Sequence, residues 1–145
     1  MNTSRQSGFS LLEVMIAVLV LAIGLLGLTA LQAQGLRGGS GAHLRAQATL
    51  LAYDMMERLR ADFDNARMGA YNLAMAADPP LAGGGVFTDD ETRRWMEQVA
   101  ALLPGSDASI NCDAIGICTV TIQWDESRAA GVEGAIQTFR FTTQI

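Results

Sequence analysis

The composition of this chain predicts one small domain behind a single apolar segment. Its 145 residues include 15 acids and 10 bases, for a formal net charge of −5, and every base is an arginine. About 110 residues follow the apolar segment, which leaves room for one modest core and excludes a second large domain. The acidic balance also disfavours generic nucleic-acid binding, which depends on clustered cations.

An apolar run begins close to the N-terminus and extends from Phe9 to Leu31. Polar side chains occur in it only at Ser10, Glu13 and Thr29. As an α-helix it would be roughly 35 Å long, enough to cross a hydrocarbon core of about 30 Å. We therefore predict a transmembrane helix over residues 9–31, preceded by a short polar leader over residues 1–8.

Glu13 is the one ionisable side chain in this run. An unpaired charge costs on the order of 2 to 3 kcal/mol at the bilayer centre and less near the interface, and acids in such positions are usually functional or paired. The alternative is that Glu13 is protonated or reaches the headgroups. From the residues alone, both interpretations stay open.

A conventional secretory signal peptide is a competing interpretation of the same segment. The run is longer than the roughly 7 to 15 apolar residues of a typical signal peptide, and Glu13 interrupts it. Its best cleavage site, ending at Ala30, is poor. Charge does not fix the orientation of the segment, because Arg5 precedes it while Arg37 and Arg45 follow it.

Residues 32–68 are predicted to continue the helix as an amphipathic segment. Four glycines interrupt the pattern first, and each costs roughly 1 kcal/mol in a helix interior, so we expect a bend or frayed stretch near residues 35–41. Beyond it, apolar residues recur at steps of three or four and predict a helix face packed on a core. These residues are Leu44, Ala48, Leu51, Met55, Leu59 and Phe63.

Residues 69–145 are predicted to form the small globular domain. Proline and glycine clusters make residues 64–87 rich in loops. Thr88 and Glu91 have the spacing of a capping box, which predicts a helix over residues 88–103. Its inward residues are expected to be Trp95, Val99 and Leu102. The acids at its start, Asp89, Asp90 and Glu91, are better explained by the helix dipole than by a calcium site.

The last third of the chain alternates as β-strands do. Apolar residues at every second position predict one buried face in the strand from Cys118 to Trp124. A polar connection over residues 125–134 leads to a second strand, in which Phe139 and Phe141 face inward and Ile136 breaks the alternation. With a short strand near residues 109–112, this predicts an antiparallel sheet of about three strands against the long helix, an α+β fold.

The two cysteines, Cys112 and Cys118, bracket a short glycine-containing turn. In an oxidising compartment they are expected to form a disulfide bond, worth roughly 2 kcal/mol in the chain-entropy model. Reduced buried thiols are the alternative. A metal site is not expected, because two thiolates lack the further ligands that zinc requires and His43 lies in the helix region.

No catalytic constellation is found in the sequence. His43 has no nucleophile partner, and no phosphate-binding loop or dinucleotide motif is present. Acid pairs such as Asp62/Asp64 and Asp125/Glu126 are interpreted as solvated surface. We therefore predict that the protein is not an enzyme and needs no cofactor.

The sequence Gly8-Phe9-Ser10-Leu11-Leu12-Glu13-Val14 resembles the leader junction of type IV pilins and pseudopilins. The resemblance implies cleavage between Gly8 and Phe9 by the prepilin peptidase, on the cytoplasmic face, and N-methylation of Phe9. It also implies that Glu13 offsets the N-terminal amine of a neighbouring subunit during assembly. The N-terminus would be cytoplasmic and the domain periplasmic, in the bacterial inner membrane and later in an extracellular pilus.

Further segments are similar to the PilV minor pilins, also called type IV pilus modification proteins. They are Ile23 to Gln32, Ala52 to Asp62 and, more loosely, Cys118 to Glu126. The likeness implies a low-abundance subunit that primes pilus assembly with other minor pilins, the major pilin and the inner-membrane assembly platform, at the filament tip. Its other contact would be membrane lipid before assembly. The alternatives are a minor pseudopilin of a type II secretion system and an anchored adhesin or DNA-uptake module.

Overall fold

The computed structural model describes residues 10–80 and 85–145. They belong to two compact units, Met1–Leu36 and Arg37–Ile145, and each is described by itself. The fold is α+β, as predicted. In chain order the elements are α1 (Leu11–Ala61), α2 (Phe63–Arg67), α3 (Phe87–Leu102), β1 (Asp107–Cys112), β2 (Ile117–Asp125), α4 (Ser127–Ala130) and β3 (Ile136–Gln144).

Helix α1 begins in the first unit and supplies one wall of the second. It is the one helix of the described residues that is long and apolar enough to cross a membrane, with a mean hydropathy of 2.8 in its most apolar window. The predicted fraying near residues 35–41 is wrong, because the backbone there is helical throughout. A cost of about 1 kcal/mol for each glycine is spread over a long cooperative helix, which only a strong breaker would interrupt.

The sheet of the second unit is antiparallel, with strand order β1-β2-β3. Strand β2 lies in the centre, where Val120 pairs with Ile110 on one side and with Phe141 on the other. The predicted inner face of β2 is confirmed, since its four alternating residues are all buried: Cys118, Val120, Ile122 and Trp124. The sheet therefore buries one face against the helices.

The core lies between this sheet, the second half of α1 and α3. Trp95 of α3 is fully buried, and its indole N–H donates to the carbonyl of Leu51 at 2.9 Å. Tyr53 of α1 packs on Phe141 of β3, with ring centroids 4.6 Å apart. The buried apolar side chains that α1 contributes to the core are Ala48, Leu51, Ala52, Met55, Met56 and Leu59. The predicted amphipathic face of α1 is confirmed from Ala48 to Leu59.

The structure differs from the prediction in three segments. Helix α1 ends at Ala61, and Phe63, expected on its buried face, begins the separate helix α2 with 38% of its surface exposed. The loop over residues 64–87 also contains a bridge between Leu73 and Ile110, while residues 81–84 of it lie outside the described part. The connection after β2 contains the unpredicted helix α4. Each of these short elements depends on tertiary contacts, which local propensity does not report.

The predicted capping box at the start of α3 is wrong. The helix begins at Phe87, its N-cap is Val86, and no side chain caps it. Thr88 is buried instead, and Glu91 forms ion pairs with Arg58 and Arg94. Thr88 and Glu91 therefore do not cap the helix, because the first is buried and the second is paired with arginines.

At the other end of α3, the leucine that is buried is not the one predicted to be. Leu102 was expected to face inward, but it is 48% exposed, while its neighbour Leu103 is 1% exposed. The helix ends at Leu102, and Leu103 has an extended backbone, with φ −120° and ψ 121°. This change of backbone turns the side chain of Leu103 into the core, where continued helical periodicity would not place it.

Cys112 and Cys118 face each other across β1 and β2 and are joined by a disulfide bond. The turn between them is ordered by Asp113, whose side-chain carboxylate accepts the N–H groups of Ile115 and Ile117. Gly116 completes the turn with φ 86°, a conformation that side-chain-bearing residues rarely adopt. The disulfide therefore closes a turn that is already tightly hydrogen-bonded.

Candidate assembly site at the N-terminal helix

The first turn of α1 places a carboxylate close to the beginning of the helix. The carbonyl of Ser10 accepts the N–H groups of Glu13 at 3.0 Å and of Val14 at 3.2 Å, which starts the helix at Leu11. The free N–H groups of a helix start carry partial positive charge, so an acid in the first turn stabilises the helix. The position of Glu13 in the first turn is therefore favourable for the start of α1.

The segment that follows Glu13 is an apolar helix whose described residues are all exposed. Every described residue from Ser10 to Leu36 is exposed, Leu11 for example to 79%. A contiguous apolar surface of this length is not left in water, because its hydration is unfavourable. It must be covered by lipid or by apolar helices of other chains.

Glu13 heads an apolar stripe along this helix. A shallow groove is lined by Glu13, Val14, Ala17, Val18 and Leu21, residues that share one helix face by their spacing. Among the described residues, no hydrogen bond or ion pair involves the Glu13 side chain. Glu13 can therefore accept a cation from a neighbouring chain. The low dielectric of the apolar surroundings strengthens the attraction, while the cost of desolvating the two charges opposes it.

Comparison with known proteins identifies the N-terminal segment. Residues 3–29 match the family model described as Prokaryotic N-terminal methylation motif. The chain carries a prepilin-type methylation motif. This motif supports the interpretation of the chain as a type IV pilin or pseudopilin that is processed by a prepilin peptidase. The apolar helix supports anchoring by one membrane span. No curated protein and no solved structure matches the chain.

The matched segment begins with seven residues, 3–9, whose structure is not described. Gly8 and Phe9, the predicted cleavage and methylation sites, lie outside the described residues, as does the leader over residues 1–8. Glu13 follows Phe9 by four positions in the sequence. Cleavage, methylation and the assembly role of Glu13 remain predictions.

The sequence did not predict an ion pair in the second unit in which the carboxylate is buried. Glu126, interpreted above as solvated surface, has a side chain only 4% exposed, and it accepts from Arg45 of α1 at 3.0 Å. The Arg45 side chain is 63% exposed. Burial of one carboxylate is costly unless it is paired, so this contact ties the region after β2 to α1. The interpretation of Glu126 as surface was wrong.

Asp125, the neighbour of Glu126, orders the beginning of α4. Its carboxylate accepts from both the hydroxyl and the backbone N–H of Ser127, and these bonds hold the pKa of Asp125 below its usual value. A charged acceptor at this position stabilises a short turn of helix. The acid is half-buried and structural, and it does not face Glu126 as a catalytic pair.

Arg58 connects α1 to α3 through two carboxylates. It pairs with Asp54 at 2.9 Å on its own helix and with Glu91 of α3 at 2.5 Å. Burial lowers the pKa of Arg58, but the two carboxylates outweigh burial and raise it. A permanently charged arginine therefore acts as a structural link between the helices.

His43, the remaining candidate from the sequence, is exposed on α1. Within residues 10–80 and 85–145, no group of three or more histidine, cysteine or acidic side chains could hold a metal ion. No described arrangement suggests a nucleophile with an adjacent base. The candidate functional surface is the N-terminal helix, which carries the methylation motif.

Asp62 also has a structural partner, because it accepts the hydroxyl of buried Tyr71 at 2.9 Å. Burial, followed by the Asp62 carboxylate, raises the pKa of Tyr71 above its ordinary value of 10.0. Because the pKa of Tyr71 is higher in the folded than in the unfolded protein, protonated Tyr71 contributes its full stabilisation below the unfolded-state pKa. That contribution to stability is lost as the pH rises above the unfolded-state pKa. The absence of lysine from the sequence leaves few other groups that titrate in this range.

We expect stability to fall between a pH of about 9 and about 11, and Tyr71→Phe to reduce that fall. The measurement is the urea unfolding midpoint of both chains at the two pH values. At neutral pH the variant should lose about 1 to 3 kcal/mol with its hydrogen bond to a charged acceptor. Equal alkaline losses in the two proteins would contradict the role given to Tyr71.

Proposed function

We propose that this protein is a minor pilin that co-assembles with other minor pilins to prime a type IV pilus, at its tip. The observation that carries the proposal is the methylation motif at residues 3–29, which continues directly into an exposed apolar helix. A helix of this kind can lie in the inner membrane before assembly and among other helices afterwards. The similarity to PilV minor pilins in residues 23–32 and 52–62 supports the narrower assignment.

In the proposed mechanism, the prepilin peptidase cuts between Gly8 and Phe9 and methylates Phe9. Glu13 then lies one turn from the new N-terminus and pairs with the N-terminal amine of an adjacent subunit. The pair offsets the cost of moving Glu13 through an apolar phase. The second unit remains outside the membrane, in the periplasm, where oxidation of Cys112 and Cys118 is favourable.

The partners that follow are other minor pilins, the major pilin, the prepilin peptidase and the inner-membrane assembly platform. A minor pseudopilin of a type II secretion system is the second candidate, because the same motif serves both classes. Co-purification from the host separates them, according to whether pilus or secretion components are recovered. An anchored adhesin or DNA-uptake module would instead predict ligand binding by the domain over residues 36–145.

The test is the intact mass and N-terminal sequence of the protein purified from membranes of its own host. We expect a chain that begins at Phe9, lacks the eight leader residues and carries one added methyl group. A Gly8 substitution by a bulky residue should leave the leader attached and serves as the control. Retention of Met1 in the wild-type chain, or cleavage near Ala30, would overturn the proposal.

A further inference from the structure

The two edges of the sheet differ in how their backbone groups are satisfied. In an antiparallel pair, residues alternate between those bonded to the neighbouring strand and those whose N–H and C=O point away from it. Unpaired groups at an edge are a template for another strand. The state of each edge therefore shows where a further chain can add.

The edge formed by β1 is covered by the chain itself. Ile110 exchanges both backbone bonds with Leu73, each at 2.9 Å. The backbone of Cys112 bonds the side-chain amide of Asn72 through both its N–H and its C=O. Asp107 accepts the N–H groups of Ala108 and Ala76. Residues 72–76 thus block strand addition at this side.

The edge formed by β3 has no such cover in the described part of the chain. Backbone bonds from Ile145 to Gly116 and from Glu126 to Ala135 fix the register at both ends of the β2–β3 pair. With this register, odd-numbered residues of β3 bond β2, and even-numbered residues direct their backbone groups outward. The central outward residues are Thr138, Arg140 and Thr142, and no hydrogen bond from the described residues reaches their N–H or C=O groups.

The features by which proteins normally protect an edge are nearly absent from β3. It spans nine residues in continuous register with β2. It contains no proline, no lysine and no acid, and Arg140 is its one charged side chain. Protected edges are short, bulged, proline-containing or rich in charge.

Arg140 favours one kind of occupant over another. If β3 paired with β3 of a second copy about its centre, the two Arg140 side chains would lie directly opposite each other. Like charges in that position are destabilising, whereas an opposite charge is stabilising. The edge therefore favours a strand of a different chain that places an acid opposite Arg140.

We propose that the outer edge of β3 is a docking site for an extended segment of a different protein, which adds a fourth strand to the sheet. Backbone groups of Thr138, Arg140 and Thr142 supply the hydrogen bonds, and Arg140 pairs with an acidic side chain of the added strand. This inference goes beyond the proposed function and does not depend on processing at Gly8.

Amide hydrogen exchange at single-residue resolution tests the open edge, on the full chain in lipid nanodiscs. We expect the amides of Thr138, Arg140 and Thr142 to exchange roughly 100-fold faster than those of Phe139 and Phe141, which bond β2. In the complex extracted gently from host membranes, the outward amides should become protected to the level of their neighbours. Equal protection in the purified chain, or no added protection in the complex, would overturn the proposal.

Two pairs of variants test the occupant with the same complex. Thr138→Pro removes an outward N–H and should abolish the protection, while Thr138→Val keeps that N–H and should retain it. Arg140→Glu should weaken recovery of the complex several-fold, up to about tenfold, and Arg140→Lys should preserve it. Continued protection of Phe139 and Phe141 verifies that each variant is folded. Cross-links at Arg140 between isotopically labelled and unlabelled copies would show self-pairing and overturn the assignment to a different chain.

Discussion

Glu13→Ala is expected to lower incorporation of the subunit into its assembly by roughly tenfold or more, while membrane insertion stays intact. Removal of a carboxylate from the apolar helix makes lipid a more favourable environment for the chain. The same change removes the proposed partner of the neighbouring N-terminal amine, and an apolar medium would strengthen that attraction. Membrane insertion should therefore be retained while assembly is impaired by this one substitution.

The measurement is the ratio of mutant subunit in purified assemblies to mutant subunit in the inner membrane. Val14→Ala is the matched control, because Val14 lies beside Glu13 in the same groove and carries no charge. Glu13→Gln keeps the size of the side chain and separates charge from shape. Incorporation of Glu13→Ala at the wild-type level would contradict the proposed role.

Leu103→Ala is expected to destabilise the second unit by about 2 to 5 kcal/mol, whereas Leu102→Ala should change stability by no more than about 0.5 kcal/mol. The two residues are adjacent and chemically identical but differ strongly in burial, since Leu103 is 1% exposed and Leu102 is 48% exposed. Truncation of the buried one removes apolar contacts and leaves a cavity. Truncation of the exposed Leu102 removes few protein contacts, and water fills the space that it leaves.

Urea unfolding followed by tryptophan fluorescence measures both variants on the full chain. Trp95 and Trp124 both lie in the second unit and are buried, so the signal reports on that unit. A larger loss of stability for Leu102→Ala than for Leu103→Ala would mean that Leu102 faces the core, as helical periodicity predicts. Similar losses for both variants would mean that the end of α3 is not organised around Leu103.

Much of the fold could be predicted from the sequence, because its strongest patterns are local. A long apolar run, a period of three to four in α1 and a period of two in β2 each act through the backbone geometry of a single element. For this reason the helix face from Ala48 to Leu59 and the strand face from Cys118 to Trp124 agree with the structure. The methylation motif is likewise a contiguous pattern, readable without any tertiary contact.

The errors occur where residues distant in sequence compete for a side chain. Glu91 has the spacing for a capping box, but Arg58 of α1 lies close enough to pair with it. Glu126 resembles surface because nothing in its neighbourhood along the chain indicates that Arg45 will reach it. No local pattern contains these partners, which are 33 and 81 residues away.

The sequence by itself determined the apolar helix with its single acid, the processing motif, the α+β order of elements and the position of the cysteines. These features depend on residue type and on spacing within one element. Only the tertiary structure decided that α1 continues through its glycines and that Leu103 replaces Leu102 in the core. It also decided that residues 72–76 cover β1, while none of the described residues hydrogen-bonds the outer edge of β3. Such outcomes depend on which elements meet, because burial and hydrogen bonding between distant segments outweigh the small free energies of local propensity.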